Sequence, residues 1–118
     1  MRRELLLIAE MIEAAEQAVA LVQGVDLETL AADRLRREAL LWNFTVLGEA
    51  AGQIESSVKD RFPDVQWQQP TRLRNRVVHG YWSIDLEIIH TTATDLLPPF
   101  VEQLRRVLTT LEAEPNPD

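Results

Sequence analysis

Along the first segment of the chain, apolar residues recur at alternating steps of three and four. Leu5, Ile8, Ile12, Ala15, Val19 and Val22 fall on one line of a helix, with charged residues between them. The pattern predicts a first helix from about Arg3 to Gln23, stopped by Gly24. Asp26 is a natural N-cap for the next helix, with Glu28 in its first turn. The stripe of that second helix is clearest at Leu40, Phe44, Leu47, Ala51, Ile54 and Val58. Gly48 and Gly52 lie four apart within it. Both lower helix propensity, so their spacing points to close approach of a neighbouring helix. Arg61 to Asp64 reads as a connector. A third helix should begin around Trp67, tolerate Pro70 in its first turn and end at Gly80. Ser83 or Asp85 caps a fourth helix, striped by Leu86, Ile89, Ala93, Leu96, Phe100, Leu104, Val107 and Leu111, with Pro98 and Pro99 expected to kink or split it. Strand-like alternation, internal repeats and a Gly-rich phosphate loop are all missing from the sequence. The expected class is therefore all-α, a four-to-five-helix up-down bundle over residues 1–112 with a flexible tail over 113–118.

Composition narrows the picture. A chain of 118 residues, 46% hydrophobic, is sized for one core. With no cysteine it has neither a disulfide framework nor a thiolate nucleophile nor a Cys-held zinc, and a cytoplasmic setting is the simplest expectation. The N-terminus opens with Arg2 and Arg3 like an export signal, but Glu4, Glu10, Glu13 and Glu16 interrupt the apolar run. No stretch approaches the roughly 20 apolar residues that a bilayer requires, so no membrane association is expected. A net charge of -7 argues against nonspecific adhesion to nucleic acid. Whole-chain charge hides a local patch, however: Val65 to Ile84 contains no Asp or Glu, and Arg72, Arg74 and Arg76 all fall inside it.

On a helix at about 100° per residue, Arg72, Asn75, Arg76 and His79 share a polar sector, while Leu73 and Val77 share an apolar one. Arg74 is the anomaly, falling between Val77 and Val78 on the apolar side, where a guanidinium needs a partner or a route to water. Either it snorkels past the bundle edge, or a second apolar face packs on another subunit and brings Arg74 into a shared cleft. His79 precedes Gly80, Tyr81 and Trp82, so a titratable ring, a flexible backbone position and aromatic surfaces converge at one helix end. That set suits a phosphodiester. His79 can move a proton near neutral pH, Arg74 can stabilise charge on phosphate oxygens, Asn75 can orient backbone or base, and Tyr81 can stack or hydrogen-bond. In RNA the 2′-OH is a built-in nucleophile. Its use requires a base and an acid, whereas the segment offers one histidine per chain, so a dimer placing two copies of His79 across one cleft would complete the set.

Trp67, the run Arg74-Asn75-Arg76-Val77-Val78-His79-Gly80-Tyr81, the run Ile84-Asp85-Leu86-Glu87-Ile88-Ile89 and the upstream Leu47-Gly48-Glu49-Ala50-Ala51 together resemble the HepT-like HEPN family. Its core is an R-x4-H-x-Y pattern with a polar residue after the arginine; Pro70 stands where similar sequences more often carry an aliphatic residue. The resemblance implies a HEPN-like helical bundle, a homodimer formed through the motif region, and a metal-independent endoribonuclease toxin that uses no cofactor. By the same resemblance Arg74 and His79 are catalytic with Asn75 assisting, and no metal site is implied; Arg72 and Arg76, in the acid-free stretch, are the candidate RNA-binding residues. It also implies an MNT-type nucleotidyltransferase antitoxin as partner, which adenylylates Tyr81 and so sets a bulky negative group in the RNA path.

Bland readings stand beside these. Arg74 and His79 can be a salt-bridged or capping pair, and Tyr81 a lid on the core. Trp67 and Trp82 are assigned to packing. His90 near Glu87 offers too few ligands for a metal and reads as a surface or interface histidine. Arg34, Arg36 and Arg37 read as a solvated face, with contact to RNA or the antitoxin as the lesser alternative. Glu49 is a candidate partner for a motif arginine across the bundle. For the whole molecule, the rivals to a nuclease are a noncatalytic nucleotide- or protein-binding module that partners a nucleotidyltransferase, and a purely structural homodimer.

Overall fold

A computed structural model describes residues 2–115, and all regular structure among them is helical. Helix α1 spans Arg2–Val22 and ends at Gly24, whose positive φ of 68° is the left-handed geometry glycine adopts without strain. Asp26 then caps α2 (Leu27–Ala32) by accepting the Thr29 N–H at 2.8 Å.

The second helix differs from the single long run expected. Asp33 closes α2 through its own N–H and opens α3 (Arg34–Gln53) by accepting the Arg36 N–H at 3.1 Å, so one aspartate serves as C-cap and N-cap at a bend. Ile54 is extended and ends α3, and Val58 belongs to a separate short helix, α4 (Ser56–Arg61). Beneath that break lies Glu4, buried at 3% exposure, whose carboxylate accepts the Glu55 N–H at 3.1 Å. Trp67 is buried, with its indole N–H on the Phe62 carbonyl at 3.1 Å, and precedes α5 (Gln68–His79). A 3-10 turn over Tyr81–Ser83 leads to α6 (Leu86–Thr91), which Asp85 caps through the Glu87 N–H at 2.9 Å. Ser83, the other expected cap, instead donates its hydroxyl to the Gly80 carbonyl.

Helix α6 runs through a π segment (Thr92–Leu96) into α7 (Leu97–Glu112). Pro98 and Pro99 lack the N–H groups that would reach back one turn, and the chain widens just ahead of them, with the Leu97 N–H bonding to the Thr92 carbonyl. The wider turn shifts the stripe by one residue. Leu97 is buried and continues to Val101, Leu104, Val107 and Leu111, whereas Leu96, expected in the core, is 60% exposed. After α7, the Glu114 carboxylate pairs with Arg61, while Asn116 to Asp118 lie outside the described residues.

Helix α1 packs on α3 and α7, α3 packs on α5, and α2 bridges α3 and α6. Phe44, Ile8, Met11, Leu30, Leu40, Leu47, Ile89, Leu104 and Leu111 are fully buried between them and form one continuous core. Far along the chain from its partner, His90 Nε2 sits 2.6 Å from the Val25 carbonyl, tying α6 to the α1–α2 turn. This is the role of the histidine that had metal binding as its sharper alternative.

Candidate active site

The site depends first on how closely α5 approaches α3. A Cβ built on Gly48 would lie 2.2 Å from the Arg74 Cβ and 2.5 Å from the Pro70 carbonyl oxygen, distances that no side chain can occupy. Glycine at 48 therefore permits the crossing, and the root of the Arg74 side chain fills the space its missing Cβ leaves. Thr71 adds a hydroxyl bond to the Gly48 carbonyl at 3.4 Å. Gly52, one turn on, is looser: its nearest neighbour would be the Thr71 hydroxyl at 3.7 Å.

From that seat the Arg74 guanidinium runs along α3. Nη2 pairs with Glu49 at 3.4 Å, Nη1 donates to the Asn75 Oδ1 at 3.0 Å, and Nε is buried without a hydrogen-bond partner among the described residues. The expected partnership of Glu49 with a motif arginine is thus present, and the arginine is Arg74. A half-buried guanidinium paired with one carboxylate and one amide oxygen is a cation for which an oxyanion can compete.

His79 is exposed at the other side of α5. It lines a cleft of about 430 Å³ with Asn75, Arg76, Gly80, Ser83, Ile84, Asp85, Ile88 and Ile89. Asn75 belongs to both surroundings, since it borders the cleft and accepts from Arg74. Gly80 ends α5 with a negative φ of -133°; what it provides is room, because a Cβ there would stand 3.1 Å from the Arg76 carbonyl. Arg72 is exposed and donates to Gln68 one turn back at 3.0 Å, away from the cleft. Tyr81, 36% exposed, lies in a second groove with Arg34, Arg37, Glu38, Leu41, Ile84 and Leu86. The side chain of Trp82 lies outside the described residues.

Within one chain, then, Asn75, Arg76 and His79 share a cleft. Arg74 reaches it only through Asn75, and Tyr81 occupies the neighbouring groove. The arginines expected on a solvated face are tied to the backbone more than foreseen: Arg36 donates to the Leu21 carbonyl at 2.7 Å and Arg37 to the Ala31 carbonyl, while Arg34 pairs with Glu38 at 2.8 Å. Sequence reasoning noticed Gly48 without identifying Arg74 as what fills its space; the signal was the anomalous arginine itself, three residues before the first valine of an apolar pair. No group of three or more His, Asp or Glu residues able to hold a metal ion occurs among the described residues.

Comparison with known proteins agrees with this architecture. The chain is 26% identical over 102 residues to "Probable ribonuclease HepT" of Thermococcus cleftensis, covering 84% of this chain and 90% of that protein. It is 22% identical over 98 residues to "Putative RNase MJ1380" of Methanocaldococcus jannaschii, covering 83% and 90%. With "Putative RNase MJ0127" of the same organism it shares 26% identity over 82 residues, 70% of this chain and 68% of the relative. No solved structure gives a significant match. A family model described as Ribonuclease HepT-like matches residues 11–107, from the middle of α1 almost to the end of α7, and the chain belongs to that HepT-like ribonuclease family.

Proposed function

We propose that the protein is the toxin of a HEPN/MNT toxin–antitoxin pair, a metal-independent endoribonuclease of the cytoplasm acting as a homodimer. The observation that carries the reading is the arrangement on α5: His79 exposed in a cleft beside Asn75 and Arg76, with Arg74 joined to the cleft wall by the Arg74–Asn75 hydrogen bond.

One His79 removes the proton of the 2′-OH, and the 2′-oxygen attacks the adjacent phosphorus. The 5′-oxygen then leaves, taking a proton from the His79 of the second protomer, and a 2′,3′-cyclic phosphate remains. Arg74 turns from Glu49 to the phosphate as negative charge builds on its oxygens, and Asn75 keeps the guanidinium aimed at the cleft. Arg72 and Arg76 attract the RNA backbone. Two exposed apolar residues, Ile88 at 42% in the cleft wall and Val78 at 46% next to His79 in the chain, support assembly of two copies. The antitoxin, an MNT-type nucleotidyltransferase, moves an adenylyl group from ATP to the Tyr81 hydroxyl with loss of pyrophosphate, filling the groove next to His79 with a bulky anion.

The test is cleavage of labelled single-stranded RNA in EDTA. The unsubstituted protein should leave 2′,3′-cyclic phosphate ends. Folded Arg74→Ala and His79→Ala variants should lose at least about 100-fold in kcat, and Asn75→Ala about tenfold with little change in KM. Intact RNA after incubation with the unsubstituted protein would leave the noncatalytic binding module as the reading.

A further inference from the structure

The groove around Tyr81 has a composition that cleavage at His79 does not require. It lies between the first turns of α3, which contribute Arg34, Arg37, Glu38 and Leu41, and the segment entering α6, which contributes Tyr81, Ile84 and Leu86, and it encloses about 430 Å³. Ile84 lines this groove and the His79 cleft alike, so the two adjoin at that residue. An aromatic ring beside aliphatic side chains offers a face to a flat heterocycle, and two guanidinium groups at the same rim offer a phosphate its counter-charges. On a chain of net charge -7, a surface with two arginines against one carboxylate is a local reversal of sign.

We propose that this groove is a second nucleotide subsite: single-stranded RNA passes from the His79 cleft over Ile84, one base stacks on Tyr81, and Arg34 with Arg37 holds the phosphate beside that base. The proposal rests on the ribonuclease reading and adds what that reading lacks, a place for the nucleotide adjoining the cleaved bond. The two arginines differ in kind. Arg37 is anchored by its bond to the Ala31 carbonyl at the end of α2, which fixes its direction before RNA arrives. Arg34 is engaged through Nε with Glu38 at 2.8 Å, in a pair whose arginine side chain is 78% exposed. The Glu38 carboxylate, by that hydrogen bond, holds the Arg34 guanidinium above its ordinary pKa and competes with phosphate for it. Glu38 is thereby a brake on the subsite, and neutralising it should tighten RNA binding as surely as neutralising Arg34 loosens it.

Opposite effects from two neighbouring, exposed side chains are the signature to seek. A fluorescein-labelled single-stranded RNA hexanucleotide is titrated by anisotropy against the His79→Ala protein over a range of salt concentrations. Adding Arg34→Gln should weaken binding about fivefold and flatten the slope of log affinity against log salt by about 0.7, the loss of one phosphate contact. Adding Glu38→Gln should tighten binding about twofold. In the cleavage-competent protein, Arg34→Gln should raise KM for the hexanucleotide at constant kcat and leave cleavage of a dinucleoside monophosphate, too short to reach the groove, unchanged. Affinities and salt slopes that match the parent for both Arg34→Gln and Glu38→Gln overturn the subsite. Failure of the ribonuclease reading shows differently, as no cleavage of either substrate by the unsubstituted chain, and the binding series still decides the subsite in that case.

Discussion

At the scale of single residues, Gly48 and Gly52 have the same identity and opposite expectations. Gly48→Ala inserts a methyl group into space already held by the Arg74 Cβ and the Pro70 carbonyl, so α3 and α5 must part. Overpacking of this kind costs about 2–3 kcal/mol, read as a lowered urea midpoint, and on the proposed mechanism it should also lower kcat by tilting Arg74. Gly52→Ala meets only ordinary contact at 3.7 Å and gains helix propensity, so it should be neutral or stabilising by up to about 1 kcal/mol. The spacing of the two glycines was enough to foresee a close crossing. Which of them carries it was not legible, because periodicity identifies a face and not the point where another helix crosses it. The arginine on the apolar side was legible as an anomaly for a related reason: its position violated the pattern, and Glu49 and the seat on Gly48 explain how α5 accommodates it.

Helical elements were legible where apolar stripes run unbroken and misread where a polar residue or an extra residue interrupts them. Asp33 sits inside what looked like one helix. Its backbone N–H ends α2 and its carboxylate starts α3, and no hydrophobic periodicity reveals such a double cap. Hydrogen bonds from the Arg36 N–H to Asp33 and from Thr29 to Asp26 hold both carboxyls below the usual Asp value of 3.8. Folded values below unfolded ones mean that these caps contribute above about pH 4 and lose their contribution as pH falls through the lowered native values. Thermal melts should therefore fall in midpoint on acidification below pH 4, and an Asp33→Ala variant should show a lower midpoint at neutral pH with a weaker acid dependence. At the other end, the prolines announced a disturbance without giving its sense. The π segment advances the buried stripe from Leu96 to Leu97, so Leu97→Asn should cost about 3 kcal/mol or more while Leu96→Asn changes stability by less than about 0.5 kcal/mol.

For the whole molecule, the sequence motif is one continuous string, yet its side chains diverge onto three surfaces: Arg74 along α3, His79 in its cleft, Tyr81 in the adjoining groove. Family and fold were readable from that string and its flanks. The dispersal was not, because it follows from where α3 and α6 stand. The proposed completion of the site across two copies predicts that Val78→Lys, at an exposed apolar position next to His79 in the chain, yields monomers in sedimentation velocity and removes nuclease activity with the helical circular dichroism spectrum retained. The π segment bears on this cleft as well. Two consecutive prolines provide no amide to bond across it, so the run from α6 to α7 loses backbone hydrogen bonds at its middle that a regular helix would make. Amide hydrogen exchange should consequently divide there, with α7 protected as part of the core and α6, the wall of the His79 cleft, opening as its own unit. In the proposed ribonuclease the wall would thus breathe around a strand of RNA while the remainder of the bundle stays shut.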